Sequence, residues 1–565
     1  MRLILSAAGL LALAGCAGVT PVAPRVATPG APVLACDALA ARFSFANTRI
    51  ASVERVAGGQ LKLPGIAEPM PEHCVVKGAM HERTSPVDGK RYAMSFEMRL
   101  PTAWNGRFFY QANGGLDGFV TPAWGDILGG GQASNGVLKG FAVISSDAGH
   151  AFDRSSPIGA ATFGLDPQAR IDYGYNAVAQ LTPMAKALVA TYYGKPPGTS
   201  YLVGSSNGGR HGFVAASRVP DAFDGILVST PGYRLPLAAA AQLWGAQQFA
   251  QIARPNPQTG RPDLATALPP AAMEVVARSV LARCDALDGL ADGIVADLQA
   301  CQRAFQVQRD IPTCTAAPAA DCLSADQKRV LANVLAGPRL RNGTPVYAGL
   351  PFDPGLAGRD WATWKLVNSV GPRDAIAMAY VFSTPPASPA VVTGQGTSLV
   401  DYALAWDLER EVPKLGPAME FMSPPDPLMR RFVARGGKMI VFHGTADPVF
   451  SALDTIKWHE DFHRAHGRAA NDHERLYLVP GMNHSRGGPA TDQVDMVDEL
   501  VRWVEGDQSP GPVVARARGA GAAVPNPEVP ASWGPGRTRP LCPYPQVARY
   551  RGAGDVDAAA SFSCQ

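Results

Sequence analysis

Three residues carry chemistry that the rest of the chain must position: Ser206, Asp447 and His484. Ser206 sits in Gly204-Ser205-Ser206-Asn207-Gly208, after the apolar run Tyr201-Leu202-Val203, so a strand, a tight turn and a helix start are expected around it. Glycine is needed on either side because such a turn presses the backbone against its neighbours. The turn lifts the Ser206 hydroxyl clear of the sheet and aims the backbone N–H of Asn207 at the same space. Asp447 follows the apolar run 438–443 in Gly444-Thr445-Ala446-Asp447-Pro448, and His484 follows the run 476–479 in Pro480-Gly481-Met482-Asn483-His484. A serine, a carboxylate and a histidine at strand ends can perform acyl transfer. His484 takes the Ser206 proton and returns it to the leaving alcohol, while Asp447 fixes the imidazole. Taken singly, Asp447 is ordinary turn chemistry and His484 a loop histidine; their order and placement favour the triad. Gly115, in Asn113-Gly114-Gly115 after a strand at 107–111, is expected to supply a second oxyanion donor beside Asn207.

The elements that hold these residues are legible in outline. Residues 92–100 alternate in polarity as a half-buried strand does, and 141–145 read as a buried strand. Residues 175–193 read as a helix leading into the serine strand, and 223–229 as the strand after it. Strand and helix in alternation predict an α/β fold, a parallel sheet with helices on its faces. Between about Pro231 and Gly436 that rhythm gives way to prolines and Ala-rich helices. The expected layout is a sheet domain of residues 36–232 and 436–565, interrupted by a lid at 233–435 where specificity would reside.

With 565 residues the chain exceeds one ordinary core. A net charge of +3 with 18% charged residues argues against nucleic acid as a partner. Arg2 followed by an apolar run to Ala14 reads as a signal peptide, ending in Leu13-Ala14-Gly15-Cys16, which looks like a lipoprotein cleavage site with Cys16 the acylated residue. Residues 1–16 are then the signal, and 17–35, rich in Pro, Val, Thr and Ala, an extended tether. The expected location is periplasm-facing or outer-membrane, otherwise secreted. Export makes the remaining eight cysteines disulfide candidates, with about a hundred connectivities. They fall as four close pairs, so sequential pairing is simplest: Cys36 with Cys74, Cys284 with Cys301, Cys314 with Cys322, and Cys542 with Cys564.

The sequence also resembles the tannase and feruloyl esterase family of α/β-hydrolases. The resemblance is carried by Leu100-Pro101-x-x-Trp104-Asn105-Gly106-Arg107-Phe108, Asn113-Gly114-Gly115, Ser146-Asp147-x-Gly149-His150, Asp172-Tyr173-Gly174-Tyr175, Gly204-x-Ser206-x-Gly208-Gly209-Arg210, Pro220-x-x-Phe223-Asp224-Gly225-Ile226, His443-Gly444-x-x-Asp447-Pro448 and Cys542-Pro543-Tyr544-Pro545. It implies hydrolysis of esters of aromatic acids by an exported serine esterase. It also implies a structural calcium ion in the lid, at Cys284 to Ile294, held by the side chains of Asp285, Asp288 and Asp292 and the carbonyls of Leu290 and Ile294. Three carboxylates in a glycine-bearing loop suit such a hard cation. His443, Phe450, Phe382 and Ser383 fall at positions that line the substrate pocket in the family. In members that cleave terephthalate monoesters, an arginine for the free carboxylate would stand four residues before Phe382, where this chain has Met378. Members usually carry a disulfide between cysteines flanking the serine and the histidine; here those positions are Ser205 and Ser485. A terephthalate-monoester hydrolase using another cation is the enzymatic alternative. A catalytically silent lipoprotein that binds phenolics or glycan is the alternative from another class.

Overall fold

The computed structural model describes residues 26–315, 321–393 and 398–565. Residues 1–16, with Cys16, and the first part of the expected tether lie outside the described residues. Where it is described, the tether rests on the body: the Gly30 N–H donates to the Trp104 carbonyl and the Val33 N–H to that of Tyr192.

Nine strands form the central sheet: β1 (Thr48–Val56), β2 (His73–Thr84), β3 (Arg91–Pro101), β4 (Arg107–Ala112), β5 (Ala142–Ser146), β6 (Thr199–Ser205), β7 (Gly225–Ser229), β8 (Lys438–Gly444) and β9 (Glu474–Val479). Their order is β1-β2-β3-β5-β4-β6-β7-β8-β9. From β5 to β9 the neighbours are parallel. The expected parallel sheet is corrected at its first edge, where β1, β2 and β3 pair antiparallel with one another and β3 with β5. The reason is connection length: residues 85–90 between β2 and β3 are too few for the crossover that a parallel pair requires.

The central strands are apolar on both faces because both faces are covered. Phe108, Tyr110, Leu202, Ile226, Val228, Met439 and Val441 enter one apolar layer. Their alternates Phe109, Tyr201, Val203, Leu227, Ile440 and Phe442 enter the other. Helices α1 (Ala177–Tyr193) and α2 (Asn207–Arg218) cover the first layer. A later helix (Val497–Gly506) covers the second with Leu500 and Trp503. Its Glu505 takes Arg107 (2.7 Å), Thr199 (2.8 Å) and Tyr201 (2.7 Å), pinning β4 to β6, the two strands that lead to Gly115 and to Ser206.

Within 233–435 the described residues add no strand to this sheet; they form short helices and the strand pair Arg254–Pro255 with Pro262–Asp263. Buried side chains from that stretch, such as Leu243, Phe249, Val276 and Trp361, join the apolar layer of α1 and α2. The four disulfides are Cys36–Cys74, Cys284–Cys301, Cys314–Cys322 and Cys542–Cys564, the sequential pairing. They fit an oxidising, exported setting. No helix among the described residues is long and apolar enough to cross a membrane.

Candidate active site

Ser206 stands between β6 and α2 at φ +62° and ψ −122°, a backbone conformation that only a constrained turn maintains. The glycines around it are steric necessities. A Cβ on Gly204 would lie 2.5 Å from the Gly208 carbonyl oxygen, and one on Gly208 only 2.2 Å from that of Ala112. Gly115 sits at φ +67° in the loop after β4, and a Cβ on adjacent Gly114 would be 3.8 Å from that of Ser206. The loop and the N-terminus of α2 therefore flank the same hydroxyl, where backbone N–H groups and the helix dipole favour negative charge.

A buried network locks this corner. The Tyr173 hydroxyl lies 3.2 Å from the Gly115 carbonyl oxygen and 3.1 Å from Asn207 Oδ1. Arg210, fully buried, donates to Asn207 Oδ1 (2.6 Å) and to the carbonyls of Tyr173 (2.9 Å) and Gly174 (2.6 Å). Asn207 Nδ2 donates to Asp117 (2.8 Å). The side chain of Asn207 is thus fully engaged as a brace.

The structure brings the three expected chemical groups together. His484 Nε2 lies 2.8 Å from Ser206 Oγ, and its Nδ1 lies 3.0 Å from Asp447 Oδ2. Asp447 accepts N–H bonds from Val449 (2.7 Å) and Phe450 (3.2 Å). Its burial would raise its carboxyl, but the imidazoles of His484 and His443 override that and hold it well below the usual carboxylate range. His443 is fully buried behind the acid. Its Nε2 lies 3.0 Å from the Phe450 carbonyl oxygen and 3.2 Å from Asp447 Oδ2, and its Nδ1 is 2.9 Å from Thr455 Oγ1. It therefore orients Asp447 and does not reach a cleft, in contrast to the pocket-lining place expected for it. Phe450, 2% exposed, packs edge-on against His484 with ring centroids 5.5 Å apart.

A second buttress was invisible in the sequence. Gln242 donates to the carbonyls of Pro448 and Val449, both at 2.9 Å, and accepts from Lys365 Nζ at 3.0 Å. Burial pushes that ammonium down to about 8, against the pull of Asp374 and Asp447. Ser205 and Ser485 are in direct hydroxyl–hydroxyl contact, and Thr230 Oγ1 lies 2.9 Å from Ser485 Oγ. A hydrogen bond thus occupies the position where a disulfide was the family expectation.

His484 borders a cleft of about 370 Å³ whose lining also includes Ser205, Ser485, Trp364, Asp360 and Arg486. The Trp364 ring stands edge-on to His484 at 5.3 Å. Phe382 and Ser383, 1% and 7% exposed, are buried and do not border this cleft; the Ser383 carbonyl accepts from Arg170 (3.2 Å). Arg373 lies over Trp364 (4.3 Å) and 6.0 Å from the Phe450 ring, and its buried Nη1 has no hydrogen-bond partner. No local pattern around Arg373 signals this placement.

The profile of the family described as "Tannase and feruloyl esterase" matches residues 74–565. The chain belongs to the tannase and feruloyl esterase family. It is 37% identical to mono(2-hydroxyethyl) terephthalate hydrolase of Piscinibacter sakaiensis, over 95% of this chain and 92% of that one. It is 27% identical to a probable feruloyl esterase of Arthroderma benhamiae, over 84% and 82%. Feruloyl esterase B of Aspergillus oryzae superposes with a TM-score of 0.74 at 19% identity, over 94% of this chain and 99% of that one. The fold is that of the α/β-hydrolases, and the chain is a carboxylic-ester hydrolase with a serine in the nucleophile position.

The loop expected to hold calcium in this family member is shaped by its own carboxylates. Asp285 accepts the N–H of Asp292 (3.1 Å) and of Gly293 (3.0 Å), Asp288 that of Leu290 (3.1 Å), and Asp292 that of Ile294 (3.1 Å). Burial, with Asp292 and Asp285 nearby, pushes Asp288 up to about 7. Arg539 pairs with Asp292, and Arg537 donates to the Asp292 carbonyl (2.9 Å), so the C-terminal segment grips the loop. Its donor set, oxygen-rich and short of positive charge at Asp288, fits a hard cation. The three carboxylates are not drawn as close as the one group of ligating side chains that converges to within 4.8 Å among the described residues, His459, His463 and Glu474.

Proposed function

We propose that the protein cleaves esters of aromatic acids by forming an acyl-enzyme on Ser206. The observation that carries this is the relay from Ser206 Oγ through His484 to Asp447, built on a nucleophile turn. Ser206 Oγ attacks the ester carbonyl as His484 Nε2 takes its proton, and the oxyanion forms against the N–H groups of Asn207 and Gly115. His484 then protonates the leaving alkoxide, and the alcohol departs. Water, deprotonated by His484, attacks the acyl-Ser206 carbonyl; the acid leaves and the proton returns to Ser206. Asp447, itself steadied by His443, holds the imidazole in one tautomer and balances its charge. The stretch 233–435 supplies Trp364 to the cleft and serves as the lid that selects substrates. Export with a lipid anchor at Cys16 belongs to the same reading, supported by the leader pattern and the four disulfides.

Calcium, when bound, would be held by Asp285, Asp288 and Asp292 with the carbonyls of Leu290 and Ile294. It would supply fixed positive charge to the loop and take no part in the reaction. Removing it with excess chelator is expected to lower the unfolding temperature, restored on calcium addition, because a ligand of the native state stabilises that state by mass action. An unchanged melting curve, with metal analysis finding no calcium, contradicts this.

Arg373 favours a second reading within the same chemistry, an acyl group bearing a second carboxylate. Its guanidinium stands over Trp364 and near Phe450, the two rings that pack against His484, with an N–H left unpaired. A panel of methyl ferulate, methyl gallate and a terephthalate monoester separates the readings. Arg373→Ala should raise KM for the terephthalate monoester by about tenfold to 100-fold, the value of a charge-assisted hydrogen bond, and leave the neutral esters within about threefold. Equal effects on all three remove the anionic-substrate reading. No hydrolysis of any member of the panel would count against aromatic esters altogether.

A further inference from the structure

The helix Ala452–His466 carries Trp458-His459-Glu460-Asp461-Phe462-His463, a His-Glu-x-x-His sequence. Histidines four residues apart share one helix face, the spacing that offers two imidazoles to one divalent metal. Here they meet a carboxylate from the edge strand. Glu474, the first residue of β9, is completely buried, His459 is nearly so, and the two imidazole centroids are 4.0 Å apart. One nitrogen from each histidine and one Glu474 oxygen all lie within 4.8 Å of one another.

We propose that His459, His463 and Glu474 form a zinc-class metal site. A metal-free His–Glu–His cluster should direct two N–H bonds at the carboxylate, since a buried anion is costly unless its oxygens are satisfied. Here both nitrogens converge on one oxygen and leave the other bare. His463 Nε2 lies 2.9 Å from Glu474 Oε2 and His459 Nδ1 lies 2.7 Å from the same oxygen, so two donors crowd one acceptor. Glu474 Oε1 is buried with no partner at all. Two imidazole nitrogens and a carboxylate are the donors zinc accepts, with a fourth position for water; on binding, each of these two nitrogens would give up its proton and offer a lone pair to the metal. His463, with a quarter of its side chain exposed, provides the way in. Glu460, which acts as the base where this motif serves a zinc protease, is exposed and accepts from the Tyr544 hydroxyl (3.3 Å). The site is therefore structural. Thr455 on the same helix holds His443, and β9 leads through residues 480–483 to His484. A metal here ties together the two elements that position the acid and the histidine of the triad.

The test uses the full mature protein stripped of metals and kept in saturating calcium, so that the acidic loop does not compete. Titration with Zn²⁺ is expected to show one equivalent bound, and Co²⁺ to give the visible bands of a four-coordinate nitrogen–oxygen site. His463→Ala should bind about 100-fold more weakly. Because that variant could lose its fold, a second readout uses the unaltered chain: Zn²⁺ should shield His463 from diethylpyrocarbonate while His466 keeps its reactivity. Absence of saturable zinc binding, undiminished binding in folded His463→Ala, or labelling of His463 that zinc does not change would overturn the proposal.

Discussion

Ser206→Ala will lower ester hydrolysis by roughly 10³-fold or more while leaving the melting temperature essentially unchanged. The size follows from what is removed: Ser206 Oγ is the hydroxyl 2.8 Å from His484 Nε2, and without it no acyl-enzyme can form. The fold should survive because alanine inherits the same positive φ that serine already tolerates, and the steric demands of the turn fall on Gly204 and Gly208. Ser205→Ala is the control. It loses one hydroxyl contact with Ser485 and should retain most activity. Inactivation by Ser205→Ala, with Ser206→Ala active, would show that the turn is read one residue out of register.

The second large effect is a gain. Ser205 and Ser485 touch through their hydroxyls, so Ser205→Cys with Ser485→Cys should form a disulfide in an oxidising compartment. The bridge joins positions 280 residues apart, for which loop-closure entropy sets an upper limit of roughly 5 kcal/mol. Losing the Thr230–Ser485 contact offsets about 1 kcal/mol of this, and strain takes more. A higher melting temperature with activity retained is expected, and neither single cysteine variant should show it. Two free thiols in the denatured, unreduced double variant would show that the bridge had not closed.

Much of the site was legible because its signals are local. A glycine-flanked serine after an apolar run, and Asp447 and His484 just past two others, mark strand ends with no knowledge of the sheet. The disulfide pairs were legible for the same reason, since each closes a short stretch of chain. What stayed hidden depends on long-range convergence. His443 was expected to line the pocket because the family resemblance places it there; only the helix that brings Thr455 against it turns it into a brace. Arg373 and Gln242 reach the residues packed around the triad from the stretch 233–435, where no periodic pattern guides a reading. Strand β1, Thr-Arg-Ile-Ala-Ser-Val-Glu-Arg-Val, is a half-exposed edge with only three large apolar residues, so its antiparallel pairing with β2 left little trace. The histidines at 459 and 463 became a site only when β9 placed Glu474 beside them.

The most direct measurement is to treat the folded protein with a fluorophosphonate and map the adduct by peptide mass spectrometry. One phosphonyl group is expected, on Ser206, with loss of ester hydrolysis in step with labelling and no reaction in Ser206→Ala. Modification at another residue with activity lost in parallel, or full hydrolytic activity in protein whose Ser206 is quantitatively labelled, would contradict the acyl-enzyme on Ser206.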